Sequence, residues 1–191
     1  MKTLLFVPGY QEDVHSRDYE SVLALFRNAG YDVRFVDINW TRTTIDDWVN
    51  QLLAVYDQTD GDVAIAGFSF GAITALVTAS KRSVSQLWLF SLSPFFAEDL
   101  KNLKPWEIKR LGKKRVSVAE TVSFAAVASI VHCPVTLFVG SREIVQWPEM
   151  NVRFNEAKHI LPTVIPVVIE GVGHHVEHAL YLSAIAQMLD C

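Results

Sequence analysis

The segment 63–80 constrains the fold more than any other, because a strand-like run there meets a helix-forming run at a Gly-x-Ser-x-Gly turn. Val63–Ala66 are apolar, and residues 72–80 favour a helix. A serine at the apex of such a turn, here Ser69, has a strained backbone and a hydroxyl exposed at the carboxyl end of a sheet. Gly67 and Gly71 avoid collisions with the neighbouring strand and helix. The segment predicts a nucleophilic serine, and the alternative is a packing turn with a buried serine.

Length and composition predict one globular domain over residues 1–191. Apolar residues make up 50% of the chain and charged residues 20%, which excludes a disordered chain. The net charge of −4 gives no reason to expect nucleic acid or an anionic membrane as a partner. No apolar run approaches the roughly 18 residues that a membrane span needs. We expect a soluble, unprocessed cytoplasmic protein, and the oligomeric state cannot be read from the sequence.

The two cysteines, Cys133 and Cys191, are too few for a disulfide framework. Cys133 lies beside an apolar run, which predicts a buried thiol. Cys191 is the last residue and is predicted to be frayed. This cysteine usage also favours a reducing, cytoplasmic location.

Apolar runs alternate with amphipathic segments along the chain. Besides 63–66, strands are predicted at 3–7, 31–38, 87–92, 134–139 and 167–169. Helices are predicted at 18–29, after a Thr44 cap, from Pro148 to about 160, and at the C-terminal end on an apolar face of Leu180, Ala184, Ile185 and Leu189. This alternation is typical of parallel βαβ units. We therefore predict an α/β three-layer sandwich, a mostly parallel sheet of about six strands with helices on both faces.

The interval between the fourth and fifth predicted strands is longer than a simple crossover needs. Residues 95–131 are predicted to form a small cap-like insertion near the serine, with a helix opened by a capping box of Ser117 and Glu120. A basic cluster, defined here as the five cations of segment 109–115, also lies there; its members are Lys109, Arg110, Lys113, Lys114 and Arg115. The cluster is either a solvated face or a device that attracts an anionic substrate.

A serine nucleophile needs a histidine base and a carboxylate that orients it, each at another strand end. Glu143 follows the fifth predicted strand and His174 follows the sixth. The chain order Ser69, Glu143, His174 is the order expected for an α/β-hydrolase arrangement. These three residues are the predicted catalytic set.

With these motifs the chain resembles the α/β-hydrolase superfamily along nearly its whole length. It is similar to the small single-domain serine hydrolases of the retinoblastoma-binding-protein-9 type. The motifs that carry the resemblance are residues 7–10, 67–71, 140–143 and 173–174. The resemblance implies an α/β-hydrolase fold with a small cap, and a reaction that requires no cofactor or metal.

The resemblance also implies an oxyanion hole made by the backbone N–H groups of Phe70 and Tyr10, with Gln11 as an alternative donor. The family often has His-Gly in this loop, where the chain has Pro8 and Gly9. Because the donors are backbone groups, we expect the hole to be retained.

The acid position is a second departure, since the family more often has Asp where this chain has Glu143. Glu is competent in such triads, but its longer side chain requires a slightly withdrawn backbone. If Glu143 is displaced, Asp99 or Glu98 after the fourth strand could reach His174 instead.

The histidines near the C-terminal end allow one further interpretation. His174 and His178 have the i, i+4 spacing of zinc ligands on a helix, with His175 and Glu177 between them. We favour His174 as the general base at the start of the last helix, with His175 and His178 solvated, and predict no metal.

The predicted function is a serine hydrolase that cleaves a small carboxylic ester or thioester through an acyl-enzyme on Ser69. One alternative is a non-catalytic binding protein, since fold does not determine function. Another is an acyltransferase or peptidase that uses the same residues. The acyl and leaving-group specificity cannot be read from the sequence.

Overall fold

The computed structural model describes residues 2–190, and its centre is a six-stranded sheet in the order β2-β1-β3-β4-β5-β6. The strands are β1 (Lys2–Val7), β2 (Tyr31–Phe35), β3 (Asp62–Phe68), β4 (Leu87–Phe90), β5 (Val135–Gly140) and β6 (Val164–Ile169). Every neighbouring pair is parallel. The predicted fold class is confirmed.

The strand β1 shows how one run of apolar residues serves two cores. Leu5 and Val7 face one core and Leu4 and Phe6 face the other, because successive side chains of a strand point to opposite faces of the sheet. Both faces are covered by helices, which is why the inner strands are continuous apolar runs rather than alternating ones.

Nine α-helices lie within residues 2–190. They are α1 (Tyr19–Asn28), α2 (Ile45–Tyr56), α3 (Phe70–Ala79), α4 (Pro105–Leu111), α5 (Lys113–Ala119), α6 (Phe124–Ser129), α7 (Ser141–Gln146), α8 (Pro148–Ile160) and α9 (Ala179–Leu189). The helices α2, α3, α6 and α8 contribute to the core on one face of the sheet, and α1 and α9 to the core on the other. None of the helices in this part of the chain combines the length and apolar character needed to cross a bilayer.

The segment between β4 and β5 contains a short 3-10 helix (Leu100–Asn102) and α4 to α6. The prediction that Ser117 and Glu120 open a helix is wrong. The helix α5 already begins at Lys113, after Gly112 turns the chain with φ +88°. The left-handed conformation of Gly112 interrupts the helix and therefore sets where α5 begins, and Ser117 lies inside α5.

Several smaller predictions also need correction. The strand β2 ends at Phe35 rather than 38, at the edge of the sheet. The strand β4 ends at Phe90 rather than 92, and β6 begins at Val164 rather than 167. The last helix buries Tyr181 and Ile185, whereas Leu180, predicted on its apolar face, is 52% exposed. Cys133 is only partly buried. Cys191 lies outside the described residues.

Candidate active site

The turn between β3 and α3 holds Ser69 in a backbone conformation that few non-glycine residues adopt, with φ 58° and ψ −116°. Its N–H donates to Phe90 O at 2.8 Å, which ties the turn to the end of β4. A Cβ on Gly67 would lie 2.2 Å from Gly71 O, and a Cβ on Gly71 would lie 2.3 Å from Val7 O. Both glycines are therefore required by close backbone approach, as the sequence predicted.

Glu143 and His174 meet at the carboxyl ends of β5 and β6. Glu143 Oε2 lies 2.7 Å from His174 Nδ1. The Glu143 side chain is fully buried, and its Oε1 accepts hydrogen bonds from Ser91 Oγ at 2.7 Å and from the Gly140 N–H at 2.9 Å. An ionised carboxylate can only accept, so Nδ1 of His174 must be the donor and Nε2 is left as the basic nitrogen.

A chain of hydrogen bonds from Tyr181 through Ser91 supports Glu143. Ser91 Oγ gives its one proton to Glu143, so the Tyr181 hydroxyl, 3.2 Å away, is the donor to Ser91 Oγ. Burial raises the pKa of Tyr181 well above its usual value, and the Glu143 charge adds to the rise. Tyr181 therefore stays protonated. Sequence reasoning missed both residues, although the position of Ser91 directly after β4 was an available signal.

The Ser69 hydroxyl is hydrogen-bonded to Ser93 Oγ at 3.0 Å. Among the described residues no hydrogen bond joins Ser69 to His174, although both line one cavity of about 340 Å³. Ser93 also lines this cavity and a neighbouring one of about 260 Å³, as does His174. The structure therefore places Ser69 and His174 on one cavity, and both Ser93 and His174 also line the second. Ser93 was not predicted from the sequence.

The proposed oxyanion donors lie on the same cavity. Tyr10 and Phe70 both line it, and within residues 2–190 neither of their N–H groups has a hydrogen-bond partner. Gln11 has a left-handed backbone, with φ 62°. The ring centroids of Tyr10 and Phe70 lie 5.2 Å apart, and the Phe70 ring lies 5.2 Å from Phe95. The cavity wall beside the serine is therefore aromatic.

A group of charged residues packs behind the histidine. Arg17 Nε donates to Glu12 Oε1 at 2.6 Å, and its Nη1 donates to the backbone oxygen of His174 at 3.3 Å. The Arg17 guanidinium lies over the Phe68 ring, which in turn lies 4.5 Å from the His174 ring. The Tyr19 hydroxyl donates to Glu12 and accepts from the Gly9 N–H. These contacts hold the loop after β1 against the loop that carries His174.

The alternative acids have other partners. Asp99 Oδ1 lies 2.6 Å from Arg153 Nη2, and its Oδ2 accepts from the Phe96 N–H at 2.9 Å. Glu98 accepts from Ser123 Oγ at 2.6 Å and from the Phe124 N–H, at the start of α6, at 2.9 Å. The structure thus brings Glu143, and neither of these two carboxylates, to the histidine.

The i, i+4 spacing of His174 and His178 does not place them on one helix, because α9 begins only at Ala179. His178 Nδ1 accepts from the Leu180 N–H at 3.2 Å and caps that helix. Between residues 2 and 190 no group of three or more His, Cys, Asp or Glu side chains could hold a metal ion.

Comparisons with known proteins bear on the family and the fold of the chain. A family model described as serine hydrolase matches residues 4–130. A search of curated proteins gives no match.

Several solved structures share the fold at low sequence identity. Est1E from Butyrivibrio proteoclasticus is similar, with a TM-score of 0.81 and 19% identity over 98% of this chain and 86% of that chain. Alpha/beta hydrolase domain-containing protein 10 from mouse is similar with a TM-score of 0.77 and 17% identity, over 98% of this chain and 88% of that chain. MenH from S. aureus is similar with a TM-score of 0.70 and 16% identity, over 99% of this chain and 93% of that chain.

Proposed function

The chain belongs to the serine hydrolase family, and from that premise we propose that it cleaves a small carboxylic ester or thioester through an acyl-enzyme on Ser69. The family and the similar structures confirm the α/β-hydrolase superfamily predicted from the motifs. The observation that carries the proposal is the 2.7 Å contact between buried Glu143 and His174, on a loop that shares a cavity with Ser69.

In the proposed reaction Ser69 Oγ attacks the carbonyl carbon while His174 Nε2 takes the hydroxyl proton. His174 then returns that proton to the leaving alcohol or thiol as the bond to the acyl carbon breaks. A water molecule next attacks the acyl-enzyme, again losing its proton to His174, and the acid leaves as Ser69 regains a proton. Glu143 holds the imidazole in the required tautomer and stabilises the imidazolium.

The hydrogen bond between Ser69 and Ser93 defines the resting state of this proposal. A hydroxyl can rotate between neighbouring partners at low cost, since a neutral hydrogen bond contributes about 1 kcal/mol. We propose that Ser69 leaves Ser93 and turns to His174 when the substrate carbonyl enters. This rotation is consistent with apo sites, in which catalytic hydrogen bonds are often not yet formed.

The backbone N–H groups of Tyr10 and Phe70 are the proposed oxyanion donors. Both are unpaired at the cavity, and the Phe70 N–H lies at the N-terminus of α3, where the helix dipole also favours negative charge. Each such donor is expected to lower the barrier by about 3–4 kcal/mol.

The decisive experiment is intact-protein mass spectrometry after reaction with a fluorophosphonate. We expect one adduct on wild type, none on Ser69→Ala, and a strongly slowed reaction in His174→Ala. The matched control is Ser93→Ala, which removes the neighbouring hydroxyl and should keep the adduct. A folded wild type without adduct would refute the hydrolase and favour a binding protein.

Two finer points have tests of their own. An adduct that persists in Ser69→Ala would show that another residue is the nucleophile. Product analysis of ester and thioester substrates, with and without an alcohol acceptor, separates hydrolysis from acyl transfer and identifies the leaving group.

A further inference from the structure

The five cations of the basic cluster do not act as one surface, because Arg115 is a structural residue. Its guanidinium donates to the backbone oxygens of Thr43 at 2.7 Å, Leu111 at 2.8 Å and Trp40 at 2.5 Å. It also lies over the Tyr10 ring, 5.3 Å from the centroid. Arg115 therefore fastens α5 to the loop that precedes α2 and supports the cavity wall from outside.

Arg110 differs from the other members in its position. Among these cations, all within the described part of the chain, Arg110 alone lines the cavity that contains Ser69 and His174. No hydrogen bond or ion pair of its guanidinium is present among residues 2–190, so its charge faces the opening without a protein partner. Lys113 and Lys114 line a separate surface depression with Arg42.

The other charged groups on this cavity are already engaged. Glu12 and Arg17 form an ion pair at 2.6 Å and so largely cancel each other. Glu107 accepts from the Lys104 N–H at 2.7 Å at the start of α4, where the unpaired amides of the helix favour a negative charge. The unpartnered guanidinium of Arg110 is therefore available to a ligand.

Several large apolar side chains line the cavity that the serine and this cation share. Phe70 and Phe95 line this cavity together with Ser69, and Trp106, which also lines it, lies one helical turn before Arg110 on α4. Trp106 is 57% exposed, an unusual position for a large apolar side chain. A ligand that fits this lining carries apolar atoms and a negative charge in addition to its reactive carbonyl.

We infer that the substrate is an ester or thioester whose chain or ring in this cavity ends in a carboxylate, and that Arg110 binds that carboxylate. The inference rests on the proposed function, since it places the reacting carbonyl at Ser69. The guanidinium forms no ion pair among residues 2–190, and its planar fork matches a carboxylate. Arg110 is therefore a specificity-determining residue.

The test compares two chromogenic esters with the same diacid chain, the mono-4-nitrophenyl ester of octanedioic acid and its ω-methyl ester. The measured quantity is the ratio of kcat/KM for the anionic ester to kcat/KM for the neutral one. Arg110→Gln should lower this ratio about fivefold, the effect of a partly exposed ion pair. Lys113→Gln removes the same charge outside the cavity and should leave the ratio near its wild-type value. The wild-type ratio should also fall with added salt.

A binding measurement keeps the inference testable without turnover. Calorimetry of monomethyl octanedioate with Ser69→Ala should give a Kd that rises about fivefold when Arg110→Gln is added. Equal effects of Arg110→Gln and Lys113→Gln, or none, would overturn the inference while leaving hydrolysis of the neutral ester intact. Failure of wild type to hydrolyse either ester would instead count against the proposed function.

Discussion

The substitution Glu143→Gln gives the sharpest test of the proposed triad, because the two oxygens of Glu143 have different partners. Oε1 accepts from Ser91 Oγ and the Gly140 N–H, and Oε2 accepts from His174 Nδ1. Glutamine has the same length but only one acceptor oxygen, and its nitrogen must donate.

Of the two possible orientations of the glutamine amide, one is strongly favoured. With its oxygen at the Oε1 position, the bonds from Ser91 and Gly140 are kept and the amide nitrogen faces His174. The reverse orientation would leave the buried Gly140 N–H facing an N–H donor, which costs about 1–3 kcal/mol. In the favoured orientation Nδ1 must accept, so the imidazole proton moves to Nε2 and the base that Ser69 needs is lost.

The expected result is a fall in kcat of about 10³- to 10⁴-fold, which corresponds to about 4–5.5 kcal/mol of barrier, with the fold retained. The assay is hydrolysis of a 4-nitrophenyl ester together with the rate of fluorophosphonate labelling, and circular dichroism checks the fold. Glu149→Gln is the matched control, because it removes a carboxylate that lines the neighbouring cavity and should change kcat little. A folded Glu143→Gln with more than about a tenth of wild-type kcat would refute the tautomer argument.

Three further predictions follow from buried contacts. Gly71→Ala should lower the free energy of unfolding by at least about 1–3 kcal/mol, because its Cβ would lie 2.3 Å from backbone oxygens. This clash outweighs the ~1 kcal/mol by which Ala favours a helix over Gly. Denaturant unfolding measures the change, and wild-type stability would contradict the prediction. Asp99→Asn should lower stability by about 1–3 kcal/mol, since it removes the buried counter-ion of Arg153 and leaves only the partly exposed Glu156 paired with it. The labelling rate of the folded fraction should be unchanged, and a lost adduct on folded protein would show that Asp99 is the acid. Burial raises the pKa of Cys133 to about 11 from 9.0, so at pH 8 its thiolate fraction falls about a hundredfold on folding. In Cys191→Ser protein, iodoacetamide should accordingly alkylate Cys133 about a hundredfold more slowly when the protein is folded than when it is unfolded. Equal rates would exclude a raised pKa of Cys133.

Local sequence signals predicted the elements best where one physical requirement dominated. The run that ends in the Gly67–Gly71 turn could form only a buried strand followed by a close-packed helix, and β3 and α3 match that prediction. The Ser117 capping box failed because its local signal competes with Gly112, whose left-handed backbone ends one helix and begins the next. Competing signals of similar strength cannot be ranked without the tertiary contacts.

Strand ends were also enough to predict which side chains gather at the site. Ser69, Glu143 and His174 follow β3, β5 and β6, and the carboxyl ends of parallel strands share one edge of the sheet. Their catalytic roles stay predictions, as do the roles of the Tyr10 and Phe70 amides. Tyr181 could not be predicted in the same way, because it reaches the site from the first turn of α9 and not from a strand end.

The position of Glu143 shows why an acid on a longer side chain fits this chain. Glu143 is the third residue of α7, so its side chain can turn back to the Gly140 N–H at the start of the helix, as an acidic residue in the first turn often does. One oxygen is thereby fixed by the helix start and by Ser91, and the other is left facing His174. An Asp at this position is shorter by one methylene, so without a shift of the backbone its carboxylate would lie closer to the start of α7 and farther from the imidazole. The hydrogen bond to the Gly140 N–H therefore stabilises α7 and also orients the carboxylate toward His174. For this reason the Glu that departs from the family pattern is compatible with an ordered site.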